Sequence, residues 1–261
     1  MKKYIISGEK GKVGKELLPL FIQKNYSIST YDNNRNIKAD CFIHIAAKSD
    51  SKTSDFKNIV DSNINLLIEV IDYCKKNKIK NIVFFSAICI FGNKNKLNIS
   101  EEDIEVSPNT LYAASKILGE QIFEHSGLNI LAFRLPSVLT NVKNDGVLFR
   151  ILEGLQNNTD ISITNYNKLF NNFITVHDIF NFIINYDFKK KNVLLLLAKE
   201  QELSLKEIVE YMKEETNSHS KIILHDSTNS FFNISIKKAK TYGFIPINVK
   251  DSLKAWIKEQ K

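Results

Sequence analysis

The sequence predicts an α/β protein: a doubly wound parallel sheet with helices on both faces and a small C-terminal lobe. Three observations carry this. Short apolar runs and helix-periodic stretches alternate as β-α-β-β-α-β-α-β as far as Pro136. A glycine-rich turn, Gly8-Glu9-Lys10-Gly11-Lys12-Val13-Gly14, joins the first strand to the first helix. An acid, Asp32, closes the second strand. A chain of 261 residues is long enough for one such domain with a lobe, and no repeat or linker divides it.

The first strand is Tyr4-Ile5-Ile6, and the helix after the turn carries Leu17, Leu18, Leu20 and Phe21. The second strand runs from Ser27 to Tyr31. Each part has a task if a dinucleotide binds. Gly8 lets the chain turn off the strand, Gly11 lets backbone approach a pyrophosphate, and Gly14 lets the helix lie close to the sheet. N–H groups at the helix start, with Lys12 and Val13 in the turn, then face the phosphates. Asp32 can accept both adenosine ribose hydroxyls and would repel a 2′-phosphate, so NAD is expected over NADP. Chance supplies roughly 0.01 such glycine triplets at this composition.

The apolar run 41–47 is the next strand, ending in Ala46-Ala47 before a polar loop over 48–52. A helix fits Asp61 to Asn77, with Ile64, Leu67, Ile68, Ile71 and Cys74 on one face and Leu66 and Val70 widening it. Strand Asn81–Phe85 ends at Ser86-Ala87, and Ile88 to Gly92 leads into a polar stretch as far as Asn109. A helix from Leu111 to Ser126 stops at Gly127, and strand Asn129–Arg134 is broken by Pro136. Beyond it, helices fit 147–155, 179–186, 205–216, 235–242 and 251–257, and strands fit 173–176 and 193–197. Residues 1–140 form the dinucleotide half, to which 173–198 return; 141–172 and 199–261 form most of the lobe.

Composition excludes several classes. Hydrophobic content of 43% and charge of 25% suit a soluble globular chain. No run approaches a membrane span, and the N-terminus enters a strand at once, so a cytoplasmic protein is expected. Cys41, Cys74 and Cys89 are widely spaced in apolar runs and read as reduced thiols, with no metal site. The net charge of +7 is spread along the chain without basic-aromatic clusters, which argues against nucleic acid and suits an anionic small molecule. Of the three arginines, Arg134 and Arg150 are candidates for phosphate binding.

Tyr112 and Lys116 sit four apart on one helix face. A lysine cation favours the phenolate, so the pair is able to move a proton at a sugar or alcohol oxygen while hydride goes to nicotinamide. Spacing alone gives about one such pair by chance. The second, Tyr186/Lys190, stands at a helix end before a lysine run and reads as surface.

Together these stretches resemble the extended short-chain dehydrogenases/reductases of the nucleotide-sugar epimerase/dehydratase family. The resemblance rests on Gly8–Gly14, Asp32-Asn33, Ile43-His44-Ile45-Ala46-Ala47, Asn63, Phe84 to Gly92, Tyr112-Ala113-Ala114-Ser115-Lys116, Arg134-Leu135-Pro136-Ser137, 173–178 and 238–246. It implies a Rossmann-type sheet and Tyr112 as the acid–base, with Lys116 on the nicotinamide ribose. It also implies cofactor contacts from Gly8, Gly11, Lys12, Val13, Gly14, Asp32, Asn33, Ala46, Ala47, Lys48, Asn63, Ser86 and Pro136. Arg134, Ser137 and Arg150 would meet a nucleotide-sugar, and a homodimer would form through the 61–77 and 111–126 helices.

Three departures stand out. The family's hydroxyl, five residues before Gly92, is replaced by Ala87, which leaves Ser86 as a substitute. The helix and strand between Asp32 and Cys41 are missing. Asn171-Asn172-Phe173 stands where an arginine often binds diphosphate, a role Arg150 could take. The family's dehydratases carry Thr-Asp-Glu where this chain has Ala87-Ile88-Cys89, which leaves epimerisation or keto-sugar reduction. The alternative is a cofactor-binding sensor or subunit that has lost chemistry. His177 and Asp178 read as structural, and His44 as a core histidine with its hydrogen bond satisfied.

Overall fold

The computed structural model describes residues 2–49, 56–92, 98–103, 108–142, 144–189, 192–226 and 231–260. The chain opens with β1 (Lys3–Ser7), α1 (Gly14–Gln23), β2 (Ser27–Thr30) and β3 (Cys41–His44). A helical stretch follows: α2 (Phe56–Val60), a π-helical turn over Asp61–Asn65, and α3 (Leu66–Lys76). Then come β4 (Asn81–Ala87), a 3₁₀ turn (Ile88–Phe91), β5 (Asn98–Ile99), α4 (Leu111–Glu124), β6 (Asn129–Leu135) and β7 (Ser137–Leu139). The remainder is α5 (Val147–Gln156), β8 (Ile161–Thr164), β9 (Phe173–Thr175), α6 (Val176–Asn185) and β10 (Val193–Leu196). It closes with α7 (Leu205–Thr216), β11 (Ile222–His225), β12 (Asn233–Ile234), α8 (Lys237–Thr241) and α9 (Val249–Glu259).

Six strands form one parallel sheet in the order β10-β6-β4-β3-β1-β2. The chain leaves β1 to one side for β2, then returns to its other side for β3. That reversal opens a crevice at the carboxyl ends of β1 and β3. Strand side chains alternate between two cores, as a period of two requires. Tyr4, Ile6, Ile43, Val83, Leu131 and Phe133 pack with α1 and α6 on one face. Ile5, Phe42, Ile82, Phe84 and Ile130 pack with α3 and α4 on the other. With both faces covered, these strands read as unbroken apolar runs. A separate cluster of α5, β8, α7 and α9 forms the lobe core, with Trp256 against Phe149 and its Nε1–H donating to the Thr140 carbonyl at 2.9 Å.

The link from β2 to β3 holds neither helix nor strand, as the sequence indicates. Tyr73 fixes it, its hydroxyl donating to the Arg35 carbonyl and accepting from the Ile37 N–H. The polar-loop residues 50–52, much of 93–109, and Lys190 lie outside the described residues.

Several expectations are corrected. Tyr186 is 3% exposed, not a surface residue, because Phe182, Phe188 and Tyr242 enclose its ring. α6 starts at Val176 rather than 179: Thr175 caps the Asp178 N–H and Asp178 answers the Thr175 N–H. Ile68 is 44% exposed, whereas Val70 and Tyr73 are buried, so the buried stripe of α3 is rotated from the expected one. Residues 234–244 pack into the main core through Ile234, Ile236, Ala239 and Phe244, not into the lobe.

Candidate active site

A cavity of about 910 Å³ opens at the carboxyl ends of β1, β3, β4 and β6, within the size range of cofactor sites. Its first wall is the glycine turn. Gly8 has φ +83, and a Cβ there would meet the Ala46 N at 2.5 Å, so only glycine lets β1 and β3 close up. A Cβ on Gly14 would run into the Gly8 carbonyl, so α1 must begin with glycine to lie against this turn. No side chain caps the start of α1, and Gly11, Lys12 and Val13 beside it line the cavity. That is a suitable place for phosphate.

The wall continues through Ala46, Ala47 and Lys48 after β3 and through Pro136 after β6. Asn63 does not line it. The Asn63 side chain is spent on the Lys48 N–H (2.7 Å), the Lys48 carbonyl (3.1 Å) and the Ser115 hydroxyl (2.9 Å). It ties the loop after β3 to α4. Sequence reasoning missed the outward face of the π turn and α3, where Asp61, Ser62, Leu66 and Glu69 form a wall. A π turn changes which residues share a face, and 3.6-residue periodicity carries no sign of it.

Asp32 and Asn33 stand at the end of β2 outside this cavity lining. One Asp32 oxygen accepts the Asn34 N–H at 2.9 Å, holding the carboxylate in a local turn.

Thr110 caps α4 by accepting the Ala113 N–H at 3.1 Å, which sets Tyr112 and Lys116 facing β4. Both line the cavity. Tyr112 is half-buried; Lys116 is 4% exposed. The Lys116 ammonium donates to the Phe85 carbonyl at 2.6 Å and lies 5.0 Å from the Phe84 ring and 5.6 Å from the Tyr112 ring. Burial lowers its pKa to about 8, against the opposing influence of Cys89 and Glu120. Burial, and then Cys89, push the Tyr112 hydroxyl above its ordinary value. The expected depression of Tyr112 by Lys116 is therefore not found: the ammonium sits over the ring and on a carbonyl, and desolvation outweighs it.

Ser86 and Ala87 both line the cavity. The Ser86 hydroxyl, however, donates to Glu120 Oε1 at 2.5 Å. Arg134 is 8% exposed and forks onto the same carboxylate at 3.1 and 2.8 Å, outside the cavity. Ser137 opens β7 close to Gly146, off the cavity wall. Arg150 is exposed at a second cavity of about 630 Å³ in the lobe, which Thr164, Asn165, Asn172 and Phe231 also line. The side-chain oxygens of Asn165 and Asn172 are buried without a hydrogen-bond partner. Asn171 is fully buried, bonded to the Lys199 and Ile234 carbonyls and the Ile234 N–H.

His44 is held in the core by Ser7 Oγ at 2.8 Å, and burial followed by the Lys116 charge lowers its pKa to about 3. Asp178 pairs with the fully buried Lys199 at 2.6 Å; Lys199 carries no local signal that singles it out. No group of three or more metal-ligating acids, histidines or cysteines occurs among the described residues. None of their helices is long and apolar enough to cross a membrane.

Comparison with known proteins identifies the family and the fold. Residues 35–185, more than half the chain, match the NAD dependent epimerase/dehydratase family. An uncharacterized 37.6 kDa protein of Escherichia coli O111:H- is 28% identical over 129 residues, 48% of this chain and 39% of its own length. The chain thus spans well under half of that relative. Protein MJ1055 of Methanocaldococcus jannaschii is 21% identical over 252 residues, 88% of this chain and 76% of that one. Among solved structures, RMD of Pseudomonas aeruginosa, complexed with NADPH, matches at TM-score 0.79 and 17% identity, covering 100% of this chain and 99% of that one. The UDP-glucuronic acid 4-epimerase of Bacillus cereus, in complex with NAD, matches at TM-score 0.78 and 16% identity, with 99% and 100% covered. The UDP-N-acetylglucosamine 4-epimerase of Methanobrevibacter ruminantium M1, in complex with UDP-N-acetylmuramic acid, matches at TM-score 0.79 and 18% identity, with 99% and 97% covered.

Proposed function

We infer the function from the premise that the family match supplies: this chain belongs to the NAD dependent epimerase/dehydratase family. The reading is a nicotinamide-dependent enzyme that epimerises, or reduces at a keto group, the sugar of a nucleotide-sugar. The observation that carries it is the meeting, in one cavity, of the Gly8–Gly11 turn with Tyr112 and Lys116. The turn and the uncapped start of α1 suit a pyrophosphate; the lysine suits a ribose hydroxyl. NAD is preferred, because the Asp32 carboxylate at the end of β2 would repel a 2′-phosphate. Solved relatives carry NADPH in one case and NAD in another.

When bound, the nicotinamide supplies the place to which hydride goes and from which it returns. The chain's own part is to handle the proton. Tyr112 holds its proton at rest, since burial disfavours phenolate. It donates to a sugar carbonyl as that oxygen gains charge and is left as the phenolate, which takes the proton back from the sugar hydroxyl in the reverse direction, with the Lys116 cation favouring that charged form. The nucleotide is assigned to the lobe cavity, where Arg150 offers a fork to phosphate and Thr164, Asn165 and Asn172 line the wall. A homodimer through the helical stretch from α2 to α3 and through α4, which together cover nearly all of the expected 61–77 and 111–126 helices, completes the reading.

One observation favours the alternative, a binding protein without turnover. Ala87 has no hydroxyl and that of Ser86 is engaged by Glu120, so polarisation of the sugar oxygen falls to Tyr112 alone or to a water. The test is turnover of a panel of UDP-hexoses and their 4-keto derivatives with NAD(H), comparing wild type with Tyr112→Phe. Turnover that drops at least about a hundredfold in the variant supports the assigned role. Equal rates overturn it, and cofactor binding with no turnover in wild type favours the sensor.

A further inference from the structure

Glu120 lies one helical turn beyond Lys116 and two beyond Tyr112, on the same face of α4. Both of its oxygens are engaged. Oε1 accepts the Ser86 hydroxyl at 2.5 Å and Arg134 Nε at 3.1 Å, and Oε2 accepts Arg134 Nη2 at 2.8 Å. Each side chain of this ion pair is only 10% exposed. Arg134 also lies over the Phe91 ring at 5.2 Å, in the turn that leaves β4. Ser86 and Arg134 are register partners at the carboxyl ends of β4 and β6. One carboxylate therefore ties the helix that bears Tyr112 and Lys116 to two strands, at the level of the cavity. Phe85, next to Ser86, provides the carbonyl on which the Lys116 ammonium rests.

We propose that Glu120 is a positioning residue for Lys116, fixing the end of β4 that holds the ammonium and placing a negative charge on the ammonium's own helix face. This rests on the cofactor reading above. It also assigns Arg134 and the Ser86 hydroxyl to the clamp rather than to substrate.

The electrostatic surroundings agree. Lys116 shares a helix face with Tyr112 and Glu120, and Cys89 from the 3₁₀ turn and His44 from β3 also interact with its charge; Arg134 from β6 is paired with Glu120. His44 is neutral near pH 7, since its pKa lies at about 3. The burial that lowers Lys116 to about 8 is opposed by Cys89 and Glu120. Cys89 is itself pushed up to about 11, so its thiol is protonated near neutral pH. At that pH Glu120 is thus the anion that matters. A lysine is charged below its pKa, so an affinity that depends on the ammonium is full below that pH and falls above it.

The experiment is fluorescence titration of the full chain with NADH between about pH 6 and 10. Wild type is expected to lose affinity with a midpoint near 8, the value to which burial lowers Lys116. Glu120→Gln keeps the shape and removes the charge. Its midpoint is expected to fall by roughly one pH unit, at the low end for an opposite charge nearby. Ser86→Ala removes one bond and keeps the charge, and its midpoint is expected to stay. If Glu120→Gln does not fold, the double variant Glu120→Gln/Arg134→Met removes the pair without leaving a buried arginine unpaired, and its midpoint is expected to fall as well. A folded Glu120→Gln or Glu120→Gln/Arg134→Met variant with the wild-type midpoint, a Ser86→Ala midpoint that falls as far as that of Glu120→Gln, or a wild-type affinity flat across the range, overturns the inference alone. Wild type that binds neither NADH nor NADPH overturns the cofactor reading and the inference with it.

Discussion

Ala87 ends β4 on the cavity wall with only a methyl group. The adjacent Ser86 hydroxyl does not stand in for the missing donor, because it is bonded to Glu120. A preorganised donor at such a position is worth about 10²–10³ in rate. Ala87→Thr is therefore expected to raise turnover of a 4-keto nucleotide-sugar by at least about tenfold, read from NADH consumption, with NADH affinity little changed. His44 gives a second prediction. Its folded pKa of about 3 lies below the ordinary histidine value, so the unfolded chain binds a proton that the folded one refuses. Stability present above about pH 6.5 is lost as pH falls toward 3. Wild type should lose about 1.4 kcal/mol more per pH unit than His44→Phe between roughly pH 6 and 4, measured by urea unfolding. Residue placement was legible unevenly. Gly8, Tyr112 and Lys116, singled out by motif and context, stand together on the cavity wall. Arg134 does not: whether an arginine faces ligand or a glutamate 14 positions away depends on pairing between elements. Lys199 follows an apolar run with no local hint of Asp178, Ser252 and the Ile247 carbonyl, which surround its ammonium.

The glycine turn and the β1–β3 crevice show how far elements can be read. Long apolar runs bounded by turn residues gave the six sheet strands within one to three residues, because both faces of the sheet are covered. α7 begins at Leu205 as expected, with a Ser204/Glu207 capping box just before it. Thr175 and Asp178 carry the same signal before α6, and reading it would have placed that helix start correctly. The short strands β5, β7, β8, β11 and β12 were not legible. They are two to four residues long and are stabilised by partners remote in sequence, as when β8 pairs with β11. The turn itself supports a prediction. A methyl group on Gly14 would collide with the Gly8 carbonyl, and only backbone movement relieves it. Gly14→Ala should lower the thermal midpoint and weaken NADH binding by at least about tenfold, since a shift of α1 also moves the N–H groups beside the phosphate. Unchanged affinity by calorimetric titration would remove the cofactor from that turn.

At the scale of the whole molecule, the lobe core and the two sheet cores are separate clusters, and the buried Asp178–Lys199 pair helps to join them. Between α2 and α4 the surface departs from what a lone globular chain needs. Phe56 is 62% exposed, Leu118 48% and Val60 46%, and they line one cleft with Ile59, Ile64 and Leu111. Single exposed apolar residues need no explanation, but a contiguous groove of them on two adjacent helices favours a partner. The net charge of +7 does not oppose self-association here, since this cleft is apolar and uncharged. Two copies joined by these helices would bury the groove in an isologous contact, the commonest closed symmetry. Light scattering on the purified chain should give about twice the protomer mass at micromolar concentration. Leu118→Asp places a charge in the middle of the contact and should return the protein to a single protomer. Neither Leu118 nor Phe56 lines the larger cavity, so NADH affinity of that variant should stay within about threefold of wild type. A wild type that remains a protomer, or a Leu118→Asp variant that remains a dimer, would place the contact elsewhere or remove it.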